Sequence, residues 1–131
     1  MKSIIIVEDH SIVRVGIESI IAKSDAYSVI ATYGTGAEGL KGIKLKKPDF
    51  AIIDLNMPDI HGDVLIKDLF IEEFETKIIV LTRQKYIPQV THLLSLGIKA
   101  YILKDNASRE LIEALEKVSK DKVYISPAIN E

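Results

Sequence analysis

Five short apolar runs alternate along this chain with segments of helical periodicity, and that alternation constrains the fold more than any other feature. The runs are Ser3–Val7, Tyr27–Thr32, Phe50–Asp54, Lys77–Thr82 and Ala100–Leu103. Short, β-branched, two-sided apolar runs read as strands buried on both faces, as in a parallel sheet. Between them, Ser11–Lys23 places Val13, Ile17, Ile20 and Ile21 at helical spacing. Thr35–Lys47 reads as a helix weakened by Gly36, Gly39 and Gly42, each worth about 1 kcal/mol relative to alanine. A third helix carries Leu65, Ile66, Leu69 and Phe70, and a fourth, Pro88–Leu96, is stopped by Gly97. A fifth, capped by Asn106 or Ser108, presents Leu111, Leu115 and Val118 as its apolar stripe.

The order βαβαβαβαβα predicts an α/β fold with helices on both faces of a doubly wound five-stranded parallel sheet. The expected strand order is flavodoxin-like, 2-1-3-4-5. A chain of 131 residues fits one domain. Residues 1–122 make that domain, and 123–131, lacking a helical period, read as a tail or the start of a linker. With 17 Lys plus Arg against 19 Asp plus Glu, the net charge of −2 supplies no electrostatic footprint for direct nucleic-acid binding. There is no cysteine, hence no disulfide and no thiolate metal site. The apolar stretch near the N-terminus is too short for a signal peptide, and no run reaches membrane-spanning length. A cytoplasmic chain with no membrane partner is the expectation.

Charged residues close three of the runs: Glu8-Asp9 after the first, Asp54 at the end of the third, Lys104 after the fifth. In parallel sheets the carboxyl ends of the strands form the ligand crevice. Carboxylates within about 4 Å repel by roughly 4 kcal/mol per pair at an effective dielectric of about 20, so such a cluster holds a proton or binds a cation. All-oxygen ligands with open water positions suit Mg2+ or Mn2+. A carboxylate beside such an ion is able to act as nucleophile toward a phosphoryl group, with a lysine and a hydroxyl such as Thr82 meeting the phosphate oxygens. Taken singly, each residue has a plainer reading. Glu8-Asp9 complements the dipole of the following helix, Asp54 is a turn residue, Lys104 is solvated, and Thr82 merely ends a strand.

These motifs together resemble the receiver domain of two-component response regulators, a CheY-like fold. Val7-Glu8-Asp9-His10, Asp54-Leu-Asn-Met-Pro58 with Gly62, Leu81-Thr82 and Tyr101-Ile-Leu-Lys104 are similar to the four signatures of that family. The resemblance implies that Asp54 accepts phosphate from a histidine kinase. It implies Mg2+ (or Mn2+) bound by Asp9 and Asp54 directly, Glu8 through water and Asn56 through its carbonyl. Thr82 and Lys104 would hold the phosphoryl group, and Tyr101 would be an aromatic switch swinging inward as Thr82 moves. Asp9-His-Ser-Ile-Val-Arg-Val-Gly16, Lys104-Asp105 and the Tyr124-Ile-Ser-Pro127 ending resemble the LuxR/NarL-type subgroup. There the receiver acts on DNA only through an output domain, for which residues after Tyr124 are too few. Homodimerisation on phosphorylation, through helix four, strand five and helix five or through helix one, is a further expectation.

Arg83 departs from the family pattern, which has a small residue there. It either covers the site, adds a phosphate contact or points to solvent. Two other classes share such a cluster: a small Mg-dependent aspartyl-nucleophile phosphatase, and a receiver-like interaction module that is never phosphorylated. A phosphatase of the haloacid dehalogenase type needs an acid two residues after the nucleophile, where this chain has Asn56. The intact acid, threonine and lysine set argues against the third class, and the domain is expected to be a switch rather than an enzyme. His10, His61 and His92 lack metal-site spacing, and Lys41, Lys44, Lys46 and Lys47 read as a solvated face.

Overall fold

A computed structural model describes residues 1–72 and 75–130 of the chain. The elements run β1 (Lys2–Val7), α1 (Ser11–Ala22), β2 (Tyr27–Tyr33), α2 (Gly36–Lys46), β3 (Phe50–Asp54) and α3 (Gly62–Ile71). They continue with β4 (Lys77–Thr82), α4 (Ile87–Leu96), β5 (Ala100–Leu103), α5 (Ala107–Ser119) and β6 (Tyr124–Ile125). The sheet order is β2-β1-β3-β4-β5-β6, parallel throughout.

Alternation of side chains along each strand sends neighbours to opposite faces, so the apolar runs feed two cores. Ile4, Ile6, Ile52, Ile79, Leu81 and Ile102 pack with Ile17 and Ile21 of α1 and Leu111, Leu115 and Val118 of α5. Ile5, Val7, Ile53, Val80 and Tyr101 pack on the other face with residues of α2, α3 and α4, among them Ile43, Leu69 and Leu93. The glycines that weaken α2 as an isolated helix have a packing reason. A Cβ on Gly39 would lie 2.6 Å from Val7 Cγ1, and one on Gly42 would strike the Tyr33 ring. Their absence of side chain lets α2 close onto β1 and β2.

Asn106 stands at the N-cap of α5 but makes no side-chain cap bond. The larger departure lies beyond residue 122, where the chain is not a free tail. Tyr124 and Ile125 pair with Ala100 and Tyr101, making a sixth strand. Ser126 N–H donates to the Tyr101 carbonyl at 2.9 Å, and Ile129 is buried in the core under α2, α3 and α4. A two-residue strand is too short to show a period, which is why the sequence reads there as irregular.

Candidate functional site

The strand register brings the charged ends together. Val7 is level with Ile53, Asp54 with Leu81, and Thr82 with Leu103. The residues just past these positions therefore share one edge, with Asp54 on the central strand. Glu8, Asp54 and Thr82 are buried, at 1%, 3% and 0% exposure. Lys104, in a 3-10 turn after β5, reaches back so that its Nζ lies 2.6 Å from Glu8 Oε1 and 3.2 Å from Asp54 Oδ2.

Asp54 Oδ1 accepts from the Asn56 amide at 3.1 Å, while the Asn56 side chain is exposed. The loop after Asp54 closes through Gly62 N–H to the Leu55 carbonyl at 2.8 Å. Glu8 Oε2 accepts from the His10 amide at 3.1 Å, and the His10 ring lies 3.2 Å from Asp9 Oδ1. Burial pushes the Glu8 carboxyl above its ordinary value, and the contacts with Lys104 and the His10 amide offset this only in part. Burial acts upward on Asp9 as well, but its contact with Glu8 and the nearby His10 outweigh that and hold it below its ordinary value.

Asp9 Oδ1 is buried and makes no hydrogen bond, with the His10 ring as its neighbour. Glu8, Asp9 and His10 each offer a ligand atom, all within 4.8 Å of one another. An orphaned carboxylate oxygen beside other hard oxygen donors fits a divalent cation.

Two further residues of the sequence-derived set connect through a residue it did not include. Gln84 N–H donates to Thr82 Oγ1 at 3.2 Å, and the Gln84 carbonyl accepts from the Tyr101 hydroxyl at 2.9 Å. Gln89 Oε1 lies 3.2 Å from the same hydroxyl. Tyr101 is fully buried, so its ring is turned inward, and burial pushes its phenol up to about 12. Arg14, also outside that set, donates from Nη1 to the Glu8 carbonyl at 2.7 Å. Gln84 acts through its backbone, which no residue pattern marks, whereas Arg14 sits six residues from Glu8 on the first two turns of α1. Arg83 is exposed and enters no ion pair among the described residues.

A parallel sheet with three acids, a threonine and a lysine at one edge is the frame of a phosphoryl-receiving signalling domain. The family model described as response regulator receiver domain matches residues 4–116, and the chain belongs to that family. It is 38% identical over 126 residues to the uncharacterised transcriptional regulatory protein YhcZ of Bacillus subtilis, covering 96% of this chain and 58% of the relative. It is 34% identical over 125 residues to the oxygen regulatory protein NreC of Staphylococcus carnosus, covering 95% and 58%. In structure it is similar to the isolated REC domain of RcsB from Salmonella enterica serovar Typhimurium with phosphomimetic BeF3-. That match has TM-score 0.91 and 26% identity, covering 98% of this chain and 96% of the other. A DNA-binding response regulator of the LuxR family from Staphylococcus aureus matches with TM-score 0.84 and 25% identity, covering 90% and 98%. The chain spans less than two thirds of the length of the curated relatives it matches. No helix among the described residues is long and apolar enough to cross a membrane.

Proposed function

We propose that this receiver is a phosphorylation-driven switch in which Asp54 is the phosphoacceptor. The observation that carries the reading is the Lys104 ammonium held between Glu8 and Asp54, in a crevice where Asp9 keeps an oxygen without a hydrogen bond. An Asp54 carboxylate oxygen attacks the phosphorus of a phosphohistidine. A P–O bond forms as the P–N bond breaks, and the imidazole nitrogen of a histidine kinase leaves with the electron pair. Lys104, already within ion-pair distance of Asp54, meets the incoming oxygens, and the Thr82 hydroxyl turns from Gln84 N–H toward them. Asp9, Asp54, Glu8 and the Asn56 carbonyl would hold Mg2+ (or Mn2+), which when bound neutralises charge on the transferring group.

The new group adds roughly 1.5 to 2 negative charges beside Lys104. Turning Thr82 releases Gln84, the residue that also accepts from Tyr101, so the β4–α4 segment and the surface of α4, β5 and α5 follow. Slow loss of the phosphoryl group to water within the same crevice resets the switch. Transcriptional control through a DNA-binding domain outside this chain, a homodimer in the phosphorylated state and a cytoplasmic setting complete the reading. RcsB, a structural neighbour, has been solved as dimers bound to DNA.

The test is incubation with acetyl phosphate and Mg2+ followed by intact mass. One phosphoryl mass is expected on the wild type and none on Asp54→Ala. Unmodified wild-type protein, or equal modification of the variant, would overturn the assignment.

A further inference from the structure

Three backbone N–H groups in the first turn of α2, those of Gly36, Ala37 and Glu38, have no partners inside the helix. Glu38 N–H donates to Thr35 Oγ1 at 3.2 Å, while Gly39 N–H already makes the first bond of the helix, to the Thr35 carbonyl at 3.0 Å. The other two are satisfied from a different part of the chain. Gly36 N–H donates to Asp59 Oδ1 at 2.8 Å and Ala37 N–H to Asp59 Oδ2 at 2.9 Å. Both oxygens of one carboxylate are thus engaged, and these two amides hold Asp59 below its ordinary pKa.

Asp59 belongs to the loop that follows Asp54. The ends of that loop are tied by Asn56 N–H to Asp54 and Gly62 N–H to Leu55. Between Asn56 and His61, the bonds of Asp59 are the loop's hydrogen bonds to another element among the described residues. The approach is close, since a Cβ on Gly36 would sit 3.1 Å from Ile60 Cβ. One turn further along, Gly39 rests on Val7, the residue before Glu8. The first turns of α2 therefore brace both acid-bearing segments of the crevice.

We propose that Asp59 is a positioning residue for the phosphoacceptor site, locking the Asp54–Gly62 loop to α2 so that Asp54 and the Asn56 carbonyl stand ready for the cation and the phosphoryl group. This rests on the reading of the crevice given above. Its bidentate grip fixes the loop in two directions, which a single hydrogen bond does not. Asp59 touches neither cation nor phosphate, so its effect is on affinity rather than on the chemical step.

The test uses the chain with Mg2+ or Mn2+ alone and, separately, with acetyl phosphate. Asp59→Ala is expected to weaken cation binding in calorimetry by roughly tenfold, the scale of residues that orient metal ligands. It should raise the cation concentration giving half-maximal phosphorylation by a similar factor, with the rate at saturating cation within about twofold of wild type. Asp59→Asn, which keeps one acceptor oxygen, should fall between. Thr35→Ala supplies the control: it uncaps the same helix without touching the loop, and its cation affinity should match wild type. Equal weakening by Thr35→Ala, or unchanged affinity in Asp59→Ala, would overturn the proposal. Wild-type protein that binds the cation but gains no phosphoryl group would sink the switch reading, while the calorimetric comparison would still decide the role of Asp59.

Discussion

Two buried polar clusters flank the end of β5, and they are built on opposite principles. On one side Lys104 faces Glu8 and Asp54, Glu8 is pushed toward protonation by burial, and an Asp9 oxygen makes no hydrogen bond. On the other, Glu110 Oε1 accepts from the Tyr124 hydroxyl at 2.9 Å and from Ser126 Oγ at 2.8 Å. Ser126 Oγ in turn accepts from Leu103 N–H at 3.0 Å. The second cluster is closed, each hydroxyl having a partner, and its work is to hold β6 against β5. The first is left open, with excess negative charge and an oxygen to spare. A protein retains that arrangement where a ligand is to complete it. The contrast separates two roles for buried polarity that burial alone makes look alike.

Removing the lysine is the strongest way to break this comparison. Lys104→Met leaves Glu8 and Asp54 buried without their cation, and a loss of about 3 kcal/mol is expected in urea unfolding. Saturating Mg2+ should return part of it, since a ligand of the folded state stabilises by mass action. Unchanged stability without added cation would show that the acids are not in conflict. Glu110→Ala strikes the closed cluster, stranding two hydroxyls at about 2 kcal/mol. Mg2+ should return none of this loss; equal rescue would mean that the two clusters act as one.

Ser126→Ala should cost about 1 kcal/mol and speed hydrogen exchange at the Leu103 amide, whose acceptor it removes. Slow exchange there would deny the serine its role in holding the strand. The smallest effect is expected from Tyr101→Phe, about 1 kcal/mol or less at neutral pH. Because the Tyr101 phenol is raised to about 12 from 10.0, the folded state binds more protons than the unfolded between those values. That contribution is full below pH 10 and is lost as pH rises through about 12. Tyr101→Phe should therefore lose stability less steeply over that window, and parallel wild-type and variant curves would contradict the assignment.

The legible part of the fold lay in periodicity. β3, β4 and β5 begin and end where their apolar runs do, and β1 and β2 extend theirs by one residue. Thr35 and Lys47, the ends of the helix read from the sequence, are the caps of α2. Glu8, Asp54 and Lys104 were legible as a cluster because a strand-end position in a parallel sheet already implies a shared edge. The links among Thr82, Gln84 and Tyr101 were not, since Gln84 contributes only backbone groups. The Asp59 contacts with Gly36 and Ala37 span 23 and 22 residues and leave no local trace.

The alternation of strands and helices and the carriage of acids and a lysine to one edge are already written in the residue order, because hydrophobic period and strand ends are local properties. Packing between distant segments places Lys104 between Glu8 and Asp54, raises Glu8 while Asp9 is lowered, ties the Asp54–Gly62 loop to α2 through Asp59, and closes the chain onto β5 at Ser126. Each of these depends on distance between segments far apart in sequence and on exclusion of water. Both properties arise only when the two cores pack.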